Sequence, residues 1–291
     1  MSAAAQIAPN HDIEIIVADN SSDASARDQV EAFAKTTDLT VKYISEPEAG
    51  VANVRNAALT LVAGQYIAFL DDDQDATPDW LGHMLAQCKK DETSVVFAKI
   101  VGRTTAKVKN VKAKLRFFSR DRDGASSGVT EKFDGCGASM LNLSLINTDL
   151  LHFDPKRNET GGEDDALFSA IQSSGGTFSW SKEALVYEDV PERRIKKRYI
   201  CQRSFAYGQG PSRICLEKNN VSPLCLFKWM TIGLAQMVVF LPLAAITLPL
   251  ENSFHLKCLR KCCEGAGKVF WQKPFRQNFY GNAVVSRMSE L

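Results

Sequence analysis

Apolar residues in the first hundred positions come in short blocks that alternate with longer amphipathic stretches. Ile13-Glu14-Ile15-Ile16-Val17-Ala18 reads as a buried strand ending in Asp19-Asn20-Ser21-Ser22-Asp23, a run suited to a turn and a helix cap. Residues 24–36 follow a helical period, and Val41-Lys42-Tyr43-Ile44 reads as a second strand. Residues 50–62 read as an alanine-rich helix closed by Gly64. Tyr66-Ile67-Ala68-Phe69-Leu70 is a third strand, Pro78-Asp79-Trp80 opens a helix, and residues 95–101 form a fourth strand. This alternation predicts an α/β fold, a mostly parallel sheet flanked by helices. Ligands of such sheets gather at the carboxyl ends of strands, where Asp19 and Asp71 both fall.

The pattern then loosens. Residues 102–132 are polar and basic with weak periodicity, and read as a mobile loop or lid. Gly135-Cys136-Gly137-Ala138-Ser139-Met140-Leu141 reads as a strand of small residues that another group approaches closely. Gly161-Gly162 precedes Glu163-Asp164-Asp165 and a helix through residue 173; acids are common in a first turn because they complement the helix dipole. Residues 229–250 carry no charge over 22 positions, enough to cross a bilayer. Gln236, Pro242 and Pro249 interrupt the run, and both flanks are basic. A re-entrant or interfacial membrane segment is therefore expected, with a buried core helix as the alternative.

The formal net charge of +1 hides an uneven distribution. Residues 1–190 hold 19 Lys/Arg against 29 Asp/Glu. Residues 191–228 reverse this with Arg193, Arg194, Lys196, Lys197, Arg198, Arg203, Arg213, Lys218 and Lys228 against Glu192 and Glu217. The last stretch is basic too, through Lys257, Arg260, Lys261, Lys268, Lys273, Arg276 and Arg287. Four segments are expected: an α/β domain over residues 1–190, a basic helical region over 191–228, a hydrophobic membrane segment over 229–250, and a basic C-terminal tail over 251–291. Basic runs also suit nucleic acid, but the adjoining apolar segment points to a membrane surface, with no nucleic-acid partner. Residues 1–12 do not read as a secretory leader. The eight cysteines form no CxxC pair and lie apart from the four histidines, so reduced thiols rather than a zinc site are expected.

Asp71, Asp72 and Asp73 directly follow the third strand. Ionised carboxylates this close repel, and a divalent cation removes that cost. The bland alternative is a strand followed by a polar turn.

These motifs share an order. Asp19-Asn20-Ser21-Ser22-Asp23 comes first, then Gly50-Val51-Ala52-Asn53-Val54-Arg55-Asn56-Ala57-Ala58-Leu59, then Phe69-Leu70-Asp71-Asp72-Asp73 before Pro78-Asp79-Trp80-Leu81. Gly161-Gly162-Glu163-Asp164-Asp165 follows about 90 residues after the aspartates. The set resembles the family-2 inverting glycosyltransferases of the GT-A fold, whose sheet is Rossmann-like. Within that family it looks most like bacterial exopolysaccharide glucosyltransferases of the succinoglycan-biosynthesis type. The resemblance spans roughly residues 10–215.

The resemblance implies a role for each matching position. Asp19 would hold the uracil or ribose of a nucleotide sugar, and Arg55 would help neutralise its diphosphate. Asp71 and Asp73, with Asp72 between them on the donor, would place Mg²⁺ or Mn²⁺. The strand Gly135–Ser139 would line the donor-sugar and acceptor cleft, with Gly135 and Asp165 on the donor side. Asp164 would be the general base beside Glu163, its pKa raised by its acidic neighbours. The implied reaction moves a hexose, with glucose as the expected sugar, from a nucleotide-diphosphate sugar to a lipid-linked or polysaccharide acceptor. The implied place is the cytoplasmic face of the inner membrane.

Two departures qualify this. Residues 1–6 resemble the end of the helix that normally follows the family's first strand, so that strand is expected to be missing, with part of the nucleotide pocket. Gln202-Arg203-Ser204-Phe205-Ala206 only begins like the Gln-x-x-Arg-Trp motif of processive synthases, implying one sugar per event. Competing readings are an inactive membrane-bound remnant and a metal-dependent phosphotransferase with Asp71 as nucleophile; Gln74 after the aspartates fits the latter poorly.

Overall fold

The computed structural model describes residues 2–8, 11–159, 161–217, 222–250 and 252–277. Two compact units divide the chain, one over residues 1–101 and 119–189, the other over 102–118 and 190–277. Of the basic residues counted above, Lys218 and Arg287 lie outside the described residues.

In the first unit, β1 (Glu14–Asp19) and β2 (Thr40–Ser45) pair in parallel, with Asp19 opposite Ser45. Helix α1 (Arg27–Ala34) connects them and α2 (Val51–Leu59) follows. The larger sheet holds β3 (Tyr66–Phe69), β4 (Gln74–Ala76), β5 (Val95–Arg103), β6 (Gly128–Thr130), β7 (Ser139–Asn142) and β8 (Phe178–Asp189). Its order is β3-β7-β5-β8-β4, with β6 paired to the start of β8.

The α/β layering matches expectation, but the sheet is mixed rather than mostly parallel. β7 inserts between β3 and β5 and runs antiparallel to both, and β4 and β6 are antiparallel to β8. The physical reason lies in the connection. β7 arrives from a segment that pairs it across two earlier strands, so no helical crossover sets its direction.

Burial follows the two-residue period of the strands. Val95 and Phe97 of β5 join a core with Leu141, Phe153, Phe168, Phe178 and Trp180. Val96, Ala98 and Ile100 join the opposite core with Trp80, Met84, Met140 and Val186. Helix α5 (Glu163–Ser173) supplies Leu167, Phe168 and Ile171 to the first face; α3 (Trp80–Asp91) supplies Trp80, Met84, Leu85 and Cys88 to the second. Each fully buried side chain of this size stabilises by about 1.5–3 kcal/mol. A strand fed on both faces needs helices on both sides, and that sandwich carries the ends of β3 and β7 toward the acidic motifs.

The small-residue segment is only partly strand: Gly135–Gly137 is a loop, Ala138 has a left-handed φ of 59° yet already bonds to Phe69 and Ala98, and the regular strand begins at Ser139. Residues 102–132 are likewise not one loop. They contain α4 (Val111–Leu115) in the second unit and β6 in the first.

The second unit is helical, with α6 (Glu192–Ile195), α7 (Lys197–Glu217), α8 (Pro223–Ile246) and α9 (Ser253–Val269). Glycines let α9 approach its neighbours closely. A Cβ on Gly208 would lie 2.1 Å from Glu264 O, and one on Gly233 would lie 2.6 Å from Gly265 O. Ser212 Oγ donates to Lys268 O at 2.8 Å, closing the α7–α9 contact. Cys215 and Cys225 form a disulfide between α7 and α8, so these two thiols are not reduced as expected. Helix α8 is long and apolar enough to cross a bilayer by length and composition, and only 11% of its most apolar window is buried within the protein. Leu224, Phe227, Val238 and Ile246 are all exposed.

Candidate functional site

Helix α2 is held by its neighbours at three points. Asn20 at the end of β1 accepts from Gly50 N at 2.8 Å and donates to Glu46 O and Glu48 O. Asn158 accepts from Ala52 N at 2.8 Å and donates to Asn53 Oδ1. Gly50 has φ 153°, and a Cβ there would sit 2.2 Å from Asn158 Cγ, so only glycine allows this start. Asn56 exchanges two hydrogen bonds with the backbone of Phe153, at 2.8 and 2.9 Å.

This clamping aims Arg55 inward. Its Nη1 donates to Glu163 Oε1 at 2.8 Å, its Nη2 lies 3.4 Å from Asp71 Oδ1, and its Cζ lies 5.4 Å from the Phe153 ring centre. Arg55 therefore connects the strand-end aspartate to the helix-start acids. Burial opposes its charge, but Cys136, Asp71, Glu163 and Asp164 outweigh that and hold its pKa above the ordinary arginine value.

Both acidic motifs lean on the loop between them. A Cβ on Gly137 would lie 2.2 Å from Asp71 Oδ2, and one on Gly135 would lie 2.9 Å from Asp164 Oδ2. Cys136 N donates to Asp164 Oδ2 at 3.2 Å, and Asp165 N donates to Asp164 Oδ1 at 2.9 Å. Arg120 Nη1 donates to Gly135 O and Gly137 O, both at 2.9 Å, and pins the loop. Arg120 falls in the weakly patterned stretch and carries no signal in the sequence, whereas Gly137 lies within the small-residue segment expected to line the cleft.

Glu163 is buried, Asp71 and Asp164 are half-buried, and Asp165 is exposed but hemmed in by protein. Burial first, then Asp73 and Asp72, pushes the Asp71 carboxyl up against the opposing pull of Arg55 and Arg120. Burial and then Asp164 raise Glu163, with Arg55 opposing. Burial and Asp164 likewise raise Asp165. The Cys136 thiol is pushed up to about 12, chiefly by burial.

Asp19 stands at the end of β1 with both oxygens engaged. It accepts from Ser21 N at 2.8 Å, Ala26 N at 3.0 Å and Tyr43 Oη at 2.8 Å. Burial pushes its pKa up, but these bonds outweigh it and hold the carboxyl at about 2. Among the described residues, none of these three bonds involves the Arg55 cluster.

Asp71 and Asp73 offer hard oxygen donors two residues apart, while Asp72 is exposed. Among the described residues no three His, Cys, Asp or Glu side chains group as a metal cage. The donor set still fits Mg²⁺ or Mn²⁺, which one or two carboxylates hold when substrate phosphates and water complete the shell.

Comparisons with known proteins bear on this geometry. The profile described as "Glycosyl transferase family 2" matches residues 1–148. The chain is similar to "Succinoglycan biosynthesis protein ExoM" of Rhizobium meliloti (strain 1021), 28% identical over 208 residues, 71% of this chain and 66% of that one. It is 35% identical over 191 residues to "Putative glycosyltransferase EpsH" of Bacillus subtilis (strain 168), 64% of this chain and 54% of that one. It thus spans less than two thirds of either relative. Among solved structures, S. aureus TarS 1-349 in complex with UDP superposes with a TM-score of 0.52 at 15% identity, over 92% of this chain and 84% of that one. GalNAc-T7 with UDP, GalNAc and Mn²⁺ gives 0.53 at 16% identity, over 78% and 49%. At such identities the superpositions speak to the fold, which is GT-A.

Proposed function

The chain belongs to glycosyl transferase family 2, and from that premise we propose that it transfers a hexose, glucose in our reading, from a nucleoside-diphosphate sugar to a lipid-linked or polysaccharide acceptor, with inversion. The names of ExoM and EpsH support a place in exopolysaccharide or cell-surface glycan synthesis. The observation that carries the proposal is the meeting of Asp71 and Asp164 across the Gly135–Gly137 loop, with Arg55 contacting the Asp71 side.

Inverting transfer is one in-line displacement at the anomeric carbon. A carboxylate takes the acceptor hydroxyl's proton on one face while the diphosphate leaves from the other. In the proposed assignment Asp164 is that base. Glu163 holds Arg55, and Arg55 turns toward the diphosphate. Asp165 and Gly135 border the donor and Asp72 faces it; Asp19 contacts the uracil or ribose with the acceptor capacity its internal bonds leave. Asp71 and Asp73 would hold Mg²⁺ or Mn²⁺, which when bound offsets charge on the departing diphosphate.

The lipid-linked acceptor and the membrane surface belong to the same proposal. The exposed apolar α8 and the cations of α6 and α7 suit a protein working at the cytoplasmic face of the plasma membrane.

The test is a panel of UDP- and GDP-sugars with Mg²⁺ or Mn²⁺, offered with membrane lipid acceptors. Asp164→Asn should abolish transfer and keep donor binding. Turnover retained in that variant would overturn the assignment.

A further inference from the structure

A cavity of about 280 Å³ lies wholly within the second unit, away from the acidic motifs in sequence and element. Lys109, Asn110 and Lys114 from the α4 segment line it, with Lys197 of α7, and with Asn252 and His255 at the start of α9. Three lysines contribute to one lining, and among the described residues that lining includes no carboxylate. The walls are fixed at the α9 side. Asn252 accepts from His255 N at 2.9 Å, and His255 Nδ1 lies 3.1 Å from Ala244 O and 3.3 Å from Thr247 Oγ1. The amino end of α9 adds the positive end of a 17-residue helix dipole. A space with this lining favours an anion with several acceptor oxygens.

The surroundings decide which anion. Ile246, Leu248, Leu250 and Phe254 are 50–74% exposed and immediately precede or interleave with the lining residues Asn252 and His255. His255 also ties the cavity wall directly to the carboxyl end of α8. A charged pocket bordered by an exposed apolar rim matches a molecule with a phosphate head and hydrocarbon chains.

We propose that this cavity binds the phosphate headgroup of an anionic lipid whose chains lie against the apolar rim at the end of α8. The proposal rests on the membrane-surface reading of the second unit and not on the assignment of catalytic residues. It adds a defined headgroup site to what would otherwise be diffuse attraction between cations and a charged bilayer.

The test uses the full chain and needs no turnover. Binding of dihexanoyl phosphatidic acid below its micellar concentration, and of inorganic phosphate, is measured by calorimetry. Sedimentation with phosphatidylcholine vesicles, with and without phosphatidic acid, is measured in parallel. Lys109→Gln/Lys114→Gln/Lys197→Gln removes the cavity cations. Lys107→Gln/Lys112→Gln/Lys257→Gln removes the same charge from exposed positions outside the lining. The short-chain lipid should bind, the cavity variant should weaken it about 100-fold, and the control variant less than about 5-fold, the effect of one cation. Equal losses in the two variants would show diffuse electrostatics and overturn the site. Inorganic phosphate binding as tightly as the lipid would overturn the lipid assignment, and no binding of the lipid would overturn both. Cavity-dependent lipid binding without attachment to any vesicle would sustain the site while the membrane-surface reading fails.

Discussion

Arg55 Nη1 lies 2.8 Å from Glu163 Oε1, a nearly buried ion pair that joins the middle of α2 to the first residue of α5. Removing one partner strands the other charge. Arg55→Ala should therefore cost about 3–5 kcal/mol, read by urea denaturation. Arg55→Ala/Glu163→Gln should recover part of that loss, and a double-mutant cycle with no coupling would contradict the pair's role.

The two loop glycines should separate donor binding from chemistry. Gly137→Ala places a Cβ against Asp71, and Gly135→Ala places one against Asp164 and the Arg120 guanidinium. The first should act mainly on donor affinity, and the second should lower kcat by about 100-fold with a smaller loss of donor affinity. Titration calorimetry beside initial rates reads both; identical profiles for the two variants would reject the division.

Arg120→Lys keeps a charge but loses the planar fork that reaches two carbonyls. We expect kcat to fall about 10-fold, as for a lost charged hydrogen bond. KM for the donor should change less, since Arg120 acts through the loop. A change confined to KM would instead mark it as a direct donor contact.

Asp19 predicts an acid-sensitive limb. Its carboxyl titrates near 2 when folded, below the ordinary 3.8, so the folded state gives up this proton more readily than the unfolded chain. The stabilisation is full above the ordinary value and is lost as pH falls through the folded one. Melting temperature followed from about pH 5 to about pH 2 should drop less steeply in Asp19→Asn than in the parent. Parallel curves would show that Asp19 is not the group responsible.

Two glycines of α7 should behave oppositely. Nothing lies within 4 Å of a Cβ at Gly210, so Gly210→Ala should stabilise by about 0.5–1 kcal/mol. At Gly208 the same change meets Glu264 O at 2.1 Å and should destabilise by about 1–3 kcal/mol. Thermal unfolding of both variants checks the contrast.

Much of the first unit was legible because β1, β2, β3 and β5 are short blocks dominated by apolar residues. β1, β2, β3 and β5 fall within one or two residues of the expected positions. β8 was not read, since Ser179, Ser181, Lys182 and Glu183 dilute its apolar pattern and its partners are distant in sequence. The direction of β7 was unreadable for a related reason, because antiparallel pairing is set by neighbours rather than by composition. The candidate carboxylates stood out by sitting at a strand end and a helix start. Arg120 did not, because its importance comes from two backbone carbonyls, which every residue possesses.

Gly135 and Gly137 set the site by what they lack. Two acidic motifs drawn from distant parts of the chain rest against opposite ends of three consecutive residues, and Cys136 N binds one of them. Their separation is thus gauged by a length of peptide, much as a spacer gauges two plates. An engineer seeking to accommodate a bulkier sugar would gain little from trimming side chains around this loop. Lengthening the loop by one residue is the change that would widen the gap, because it would set the two acids further apart.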